Sequence, residues 1–321
     1  MAVQVKQLLH EKELFNSRLE LDISGKDIDF VVVNTLRRVA ISEIPALAFN
    51  DIEINENTSV FNNNQVRLYI QNIPVIGVKN IPLKYHKKKA VEEEAEEDEE
   101  LDNILENIDT EIEEIETTSL ENMTMYIDYH NTSKEIKSVT TSDAKFYYMA
   151  KEIKSPYPND VIITKLQPGQ KIKLTAKSIL GNEKENGIFS LTSVCAYNEI
   201  NNNKFKFFIE GRGQLDEKEI LKRSCYVIKR KLMKLQKMFP SIKMKDGEIK
   251  IPKEKHTIGN LISHGLGLLS EVKYATYYQK HSLDNEIFIK FGCDKEYDIS
   301  KLIDKVCKNY QEIFNKLEKS F

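Results

Sequence analysis

The stretch RLELDISGKDIDFVVVNTLRRVAISEIPALAFNDIEI, residues 18–54, contains the pattern of a strand, a helix and a second strand in succession. Residues 18–24 alternate apolar and polar side chains, which is typical of a half-buried strand. Asp27 offers an N-cap for a helix that runs to about Glu43, where Pro45 stops it. The apolar residues of this helix share one face: Val32, Val33, Leu36, Val39, Ala40 and Ile44. Residues 47–54 again have the pattern of a strand.

The same pattern returns near the C-terminus. Residues 247–251 are typical of a strand, and residues 256–269 of a helix with Ile258, Leu261, Ile262 and Leu269 on its inner face. Two strands over residues 272–278 and 286–291 follow, and Asp298 caps a last helix. Its apolar stripe is Ile299, Leu302, Val306, Tyr310, Ile313 and Leu317. The chain therefore contains two copies of one sheet-plus-helix arrangement.

The first copy obtains its closing strand and helix only after residue 203. Residues 204–211 predict a strand, and Asp216 begins a helix in which Glu219 is placed for a capping box. This helix carries apolar residues at spacings of four and three, and Pro240 ends it. The seam is Leu221, Cys225, Ile228, Leu232, Leu235 and Phe239. Such a regular seam favours a long partner helix, and burial on the helix's own sheet is the alternative.

These elements predict an α+β fold with two pseudo-symmetric halves, each a sheet with helices on one face, and a mostly β insert in the first half. We expect the first half to comprise residues 1–50 and 204–240, the insert residues 51–203, and the second half residues 241–321. About eight residues, 239–246, join the halves, which bury their helical faces against each other. The expected dimerisation core consists of Leu36, Leu221, Ile228, Leu232, Leu235, Ile258, Leu261, Ile262, Leu302, Val306, Ile313 and Leu317.

Charge is distributed very unevenly along the chain. Residues 91–116 contain 15 acidic residues and no basic ones, and removing them from the net charge of −3 leaves +12 on the rest. Such a segment buries too little apolar surface to fold alone. We expect a disordered acidic loop over about 88–120 whose deletion leaves assembly and thermal stability intact. The basic remainder fits nucleic-acid contact, a masked basic patch or an ordinary solvated surface.

The sequence lacks the patterns of an enzyme or a metal protein. Cys195, Cys225, Cys293 and Cys307 are too far apart for a zinc ribbon or iron–sulfur motif, so we expect no metal and no cofactor. Phosphate-binding glycine loops and nucleophile elbows are absent. No apolar run approaches the ~18 residues of a membrane span, and the charged first residues do not resemble a signal peptide. We therefore expect an intracellular, non-catalytic protein that does not bind membranes.

Longer motifs resemble the α family of multisubunit RNA polymerases, which includes bacterial α, the archaeal D subunit and the third-largest subunit of eukaryotic RNA polymerase II. NTLRRVAISEIPALAFNDIEINENTSVF (34–61) resembles the family signature, and FFIEGRGQLDEKEILKRSCYVIKRKL (207–232) its closing strand and helix. KEKHTIGNLISHGL (253–266) and YDISKLIDKVCKNYQEIF (297–314) resemble the archaeal L subunit and its eukaryotic eleventh counterpart. A single chain that contains both sets of motifs resembles a subunit of the polymerases of large nucleocytoplasmic DNA viruses.

The resemblance implies a non-catalytic assembly scaffold of DNA-directed RNA polymerase. Its implied partners are the second-largest (β-like) and largest (β′-like) subunits and small assembly subunits, without sequence-specific DNA binding. The nucleus, a cytoplasmic viral transcription compartment or the virion are the implied locations. Helical spacing puts Arg37 at the flank of the apolar stripe and Arg38 on the far side, so these two residues are the expected partner-binding site. The equivalent positions of the second half, Ser263 and His264, lack an arginine pair.

Two other hypotheses remain open from the sequence alone. One is a self-paired protein-interaction adaptor that uses its acidic segment, and the other is an enzyme with an unrecognised site in the insert. Purification of the native complex discriminates the adaptor from the scaffold, because only the scaffold co-purifies with large catalytic subunits.

Overall fold

The computed structural model describes residues 3–12, 17–78 and 123–321. The acidic segment 91–116 lies outside the described residues. The helices are α1 (Phe30–Ser42), α2 (Asn63–Gln71), α3 (Glu217–Met238), α4 (His256–Gly267) and α5 (Ile299–Ser320). The strands are β1 (Gln4–Glu11), β2 (Ser17–Ser24), β3 (Ala46–Asn57), β4 (Met123–His130), β5 (Lys137–Thr140), β6 (Lys145–Tyr148), β7 (Lys151–Ile153), β8 (Ile162–Leu166), β9 (Lys171–Gly181), β10 (Thr192–Asn201), β11 (Lys204–Gly211), β12 (Lys243–Pro252), β13 (Val272–Tyr278) and β14 (Glu286–Asp298). Among these residues, no helix is long and apolar enough to cross a membrane.

The first half is an antiparallel sheet in the order β1-β2-β11-β10. The inward residues of β2 face those of β11 directly: Leu19 pairs with Ile209, Leu21 with Phe207 and Ile23 with Phe205. All six are at most 2% exposed. The alternation seen in residues 18–24 therefore forms one wall of the core.

Helix α1 begins two residues later than the sequence indicated. Asp29, rather than Asp27, is the N-cap, and its Oδ1 accepts a hydrogen bond from the Val32 N–H at 2.9 Å. Asp27 lies in the preceding turn. Both aspartates precede the apolar stripe, and only the one whose backbone is extended beside the first turn can accept that bond.

The caps of the two long helices agree with the sequence, except in one detail. Asp216 caps α3 and Asp298 caps α5, each accepting from a main-chain N–H of the first turn. Glu219, however, does not complete a capping box with Asp216. Its carboxylate instead accepts from Arg223 Nε at 2.8 Å, one turn further along the same helix.

The second half is a three-stranded antiparallel sheet, β12-β14-β13, with α4 and α5 on one face. Strand β12 begins at Lys243, so only residues 239–242 separate α3 from the second half. The connection is thus shorter than the residues 239–246 expected from sequence. Helix α3 packs along α5, and α1 packs against α4. One hydrophobic cluster contains the inward faces of both sheets and all four helices.

The insert has its own hydrophobic cluster. Its sheets are β3-β9-β4-β6-β7 and β5-β8, with α2 packed on β3 and β8. Helix α2 is a further element of the insert, which the sequence analysis described only as mostly β. The sequence signal is a capping box, in which Asn62 and Gln65 each bond the other's backbone N–H.

Strand β3 belongs to both cores. Ala46 and Ala48 point into the cluster shared by the two halves, whereas Leu47, Phe49 and Ile52 point into the cluster of the insert. Its partner is β9 of the insert. At the other end, β10 pairs with β11, so residues 192–201 lie in the sheet of the first half although the insert was expected to reach residue 203.

Candidate functional site

The two halves share one continuous apolar cluster within the described chain. All twelve residues expected in the dimerisation core lie in the cluster that spans both halves, and each is at most 5% exposed. Further residues of the second half belong to the same cluster, among them Tyr310, Phe314 and Ile303. The apolar stripes of α1, α3, α4 and α5 are therefore buried against one another within one chain.

Polar contacts at the edge of this surface fix how α3 and α5 align. Lys229 Nζ donates to Glu318 Oε2 at 2.6 Å near one end. Gln236 Nε2 donates to Asp304 Oδ1 at 2.7 Å near the other. Since residue numbers rise along one helix and fall along the other, the helices run antiparallel. The seam of α3 thus faces a helix of equal length, 22 residues in each case.

Helices α4 and α5 approach so closely that one position must be glycine. A Cβ added to Gly265 would lie 2.5 Å from Val306 Cγ1 and 2.6 Å from Tyr310 Cε2. The Tyr310 hydroxyl lies 3.1 Å from His264 Nδ1. By contrast, a Cβ on Gly267 would meet no atom within 4 Å. Glycine is a weak helix former at either position, and the structure gives Gly265 a packing role that Gly267 lacks.

The two arginines expected to bind a partner differ in environment. Arg37 is half-buried, and its Nε donates to Asn34 Oδ1 at 3.0 Å on the same helix. Arg38 is exposed, and its Nε donates to Thr257 Oγ1 of the second half at 2.8 Å. The guanidinium of Arg38 therefore sits on the outer face, at the junction of the two halves. In the second half, Ser263 is buried and His264 packs edge-on against Phe30.

A charge cluster that sequence reasoning missed joins the three parts of the chain. Lys231 Nζ of α3 lies 2.7 Å from Glu43 Oε2, just after α1, and 2.8 Å from Glu254 Oε1 of the second half. Lys184, from the loop after β9, lies 2.8 Å from Glu43 Oε1. These residues are far apart in sequence, so no local pattern could have indicated the cluster.

Burial and charge act against each other in this cluster. Burial alone would raise the pKa of Glu43, but the ammonium groups of Lys231 and Lys184 outweigh it and lower the pKa to about 2. Burial raises the pKa of Glu254 despite the Lys231 ammonium. Burial would lower the pKa of Lys231, but Glu254 and Glu43 raise it. Lys231 is therefore a buried cation held by two carboxylates, one from each half.

The four cysteines are free thiols, and all are buried. Burial raises the pKa of Cys195 and of Cys307 to about 12, which keeps these thiols protonated. Among the described residues, one group has ligand atoms close enough for a metal ion, namely His10, Asp216 and Glu217. Asp216 binds Lys12 and caps α3, while Glu217 accepts from the Gly211 N–H at 3.2 Å. These contacts give the carboxylates a structural role.

Comparison with known proteins agrees with this arrangement. Residues 21–232 and, separately, residues 246–320 match the RNA polymerase Rpb3/Rpb11 dimerisation domain. A protein of Acanthamoeba polyphaga mimivirus, named as a candidate DNA-directed RNA polymerase subunit, is 23% identical over 308 residues, covering 88% of this chain and 83% of that protein.

Two cellular relatives match parts of the chain. The RPAC1 subunit of mouse DNA-directed RNA polymerases I and III is 24% identical over 56% of this chain and 50% of its own length. The Rpo11 subunit of DNA-directed RNA polymerase from Saccharolobus solfataricus is 45% identical over 47 residues, 15% of this chain and 51% of its own length. The chain therefore belongs to the RNA polymerase Rpb3/Rpb11 dimerisation-domain family, and it contains that domain twice.

Proposed function

We propose that the chain is a non-catalytic assembly scaffold of a multisubunit DNA-directed RNA polymerase. The observation that carries the proposal is that two dimerisation domains of one family share a single hydrophobic core within one chain. The relatives are named as RNA polymerase subunits, and the mimivirus protein matches across both halves. A fused subunit of the viral kind, working inside the infected cell, accounts for these matches.

The chain divides into three functional parts. We assign residues 1–50 and 204–240 to the first dimerisation half, residues 51–203 to the insert and residues 241–321 to the second half. The separate hydrophobic cluster of the insert supports this division. Strand pairing refines it, since β10 adds residues 192–201 to the first half. The paired halves form the platform, and the insert is available to small assembly subunits.

The docking face for the second-largest, β-like subunit is the outer side of α1. Arg38 supports this assignment because it is exposed on a helix that is anchored in the core by Leu36 and Val39. A guanidinium in this position can bind a carboxylate of a partner through two parallel hydrogen bonds. The second half offers Ser263 and His264 at the equivalent places, so the chain should bind one β-like subunit. The largest, β′-like subunit then joins that complex.

Co-purification of the native complex tests this function. A tagged wild-type chain should recover the two large catalytic subunits, and Arg38→Glu should recover at least tenfold less of the β-like subunit, since reversal of an interfacial charge commonly costs about 2–5 kcal/mol. Thr257→Val is the matched control because it removes the hydrogen bond to Arg38 and keeps the charge. It should assemble normally.

Leu36→Asp provides a second control, because it places a charge in the buried core and should unfold the first half. Normal recovery of the β-like subunit by folded Arg38→Glu would show that the docking face lies elsewhere. Recovery of the wild-type chain without any large subunit would favour the self-paired adaptor instead.

A further inference from the structure

A groove opens at the junction of the two halves, where helix α1 begins and helix α4 ends. It has a volume of about 580 Å³. Phe30 of α1, Leu268 at the end of α4, and Tyr310 and Ile313 of α5 give it an apolar lining. Phe30 is 50% exposed and Leu268 is 65% exposed, although both side chains are large and apolar. Exposed apolar side chains that gather at one opening are typical of a surface that a partner covers.

Carboxylates predominate among the charged groups of the groove. Asp27, Asp29 and Glu199 line it, against Lys26 and the imidazole of His264. Asp29 is already engaged, since its Oδ1 caps α1 and its Oδ2 lies 3.7 Å from His264 Nδ1. Asp27 and Glu199 are exposed, and their side chains form no hydrogen bond or ion pair with another described residue. These two carboxylates can therefore bind a cation from a partner.

The pseudo-symmetric position on the other side of the platform has the opposite charge. His264 of α4 corresponds to Arg38 of α1. The N-cap residue is Asp29 in α1 and Lys255 in α4. Arg38 donates to Thr257 at the start of α4, just as His264 lies beside Asp29 at the start of α1. An acidic partner segment, which the Arg38 side attracts, is repelled by the carboxylates of the groove.

Arginine is the cation that this groove suits best. One side of the Phe30 ring contacts His264, and half of the residue is still exposed. A guanidinium can stack on such a ring and bind a carboxylate through two N–H groups, whereas an ammonium is a strongly hydrated point charge. Leu268 and Ile313 beside the ring suit an aliphatic side chain next to the arginine.

We propose that this groove docks a segment of a partner protein in which arginine adjoins aliphatic residues. The arginine lies on Phe30, between the carboxylates of Asp27 and Glu199. This second docking surface goes beyond the proposed function and does not depend on the assignment of Arg38. Because the two pseudo-symmetric surfaces differ in charge, each rejects the partner of the other, and the platform binds two different proteins in a fixed arrangement.

Photo-cross-linking of the full chain tests the proposal. The probe is a short peptide that alternates arginine with photo-leucine, a diazirine analogue that bonds on irradiation to whatever it touches. Mass spectrometry should find cross-links within residues 26–31 and 264–269. The 15 acidic residues of segment 91–116 also attract arginine, so only the yield at the groove is compared between variants. The same peptide with glutamate in place of arginine should give no links at the groove.

The double variant Asp27→Asn with Glu199→Gln should lower the yield at the groove at least about fivefold, because two exposed charge pairs are lost. Glu53→Gln with Glu56→Gln is the matched control, since it removes the same charge at exposed positions that do not line the groove. It should leave the yield unchanged. All four positions are exposed, so thermal denaturation should show every variant folded.

Phe30→Ala separates arginine from a general cation. The unmodified chain should give at least about a twofold higher yield with the arginine peptide than with a lysine peptide, and Phe30→Ala should remove this difference. Equal yields of the two peptides on the unmodified chain would overturn the assignment to arginine. The docking proposal fails if the groove shows no links, if the two double variants lose yield equally, or if the glutamate peptide links as well. None of these results bears on Arg38, which co-purification of the large subunits tests separately.

Discussion

Lys231 should contribute far more to the free energy of unfolding than an ordinary surface lysine does. Its ammonium lies between Glu43 and Glu254, and the three side chains are only 20%, 7% and 16% exposed. Lys231→Met keeps an unbranched side chain that is one heavy atom shorter, and it leaves two buried carboxylates without their shared cation. Removing one member of a buried ion pair typically costs about 3–5 kcal/mol.

We expect the lower end of that range, about 3 kcal/mol, for two reasons. Lys184 still neutralises Glu43 in the variant, at 2.8 Å. Burial already raises the pKa of Glu254, so this carboxyl can take up a proton when Lys231 is absent. The loss should accordingly be smaller at pH 5 than at pH 8.

Urea denaturation measures this loss as a lower midpoint at unchanged slope. Lys305→Met is the matched control, because Lys305 is 56% exposed and, among the residues that the structure describes, forms an ion pair with Glu271 at 2.8 Å. It should cost less than about 1 kcal/mol. Adding Glu254→Gln to Lys231→Met should recover part of the stability. The reasoning fails if Lys231→Met destabilises the chain no more than Lys305→Met does.

Three further predictions follow from the core and the charge cluster. A protease site placed within residues 239–242, where the chain connects α3 to β12, should give two fragments that remain associated in sedimentation, because they share one core. Separation into two folded fragments would contradict this. Gly265→Ala should destabilise the chain by about 1–3 kcal/mol, because the added methyl group overpacks against Val306 and Tyr310. Gly267→Ala adds its methyl group in open space and should stabilise the chain by up to about 1 kcal/mol. Equal effects of the two variants in thermal denaturation would rule out the packing role of Gly265. The pKa of Glu43 is lowered from 4.5 to about 2 in the folded chain, so its contribution to stability is present above pH 4.5 and is lost as pH falls towards 2. Glu43→Gln should flatten the stability curve in that interval, and an unchanged acid limb would argue against the lowered pKa.

The elements of the platform could be predicted because each has a strong local pattern. The alternation in residues 18–24 and the stripe of α5 both arise from burial on one face, so periodicity alone locates them. Asp216 and Asp298 were identified as caps because each directly precedes an apolar stripe. The α+β class and the pairing of two helical faces followed from seeing the same pattern twice.

Other features depended on contacts that no short pattern contains. Asp27 and Asp29 are equally good caps by composition, and the course of the turn decides between them. Helix α2 buries only Val66 and Ile70, so its periodicity was too weak to recognise. Strand β10 belongs to the first half because of its pairing with β11, which the sequence does not reveal. The cluster of Glu43, Lys184, Lys231 and Glu254 exists only after the halves and the insert have packed together.

Strand β3 limits how this chain can change in evolution. Within residues 46–49, even and odd positions of this strand serve different cores, with Ala46 and Ala48 on one side and Leu47 and Phe49 on the other. Substitutions of similar size can be accommodated on either side separately. Deletion of a single residue within this stretch would exchange the two faces and place each set of side chains in the wrong core. We therefore expect related chains to have no insertion or deletion across residues 46–49, whereas the loops of the insert can differ in length. The orientation of the insert on the platform should then be the same in all of them.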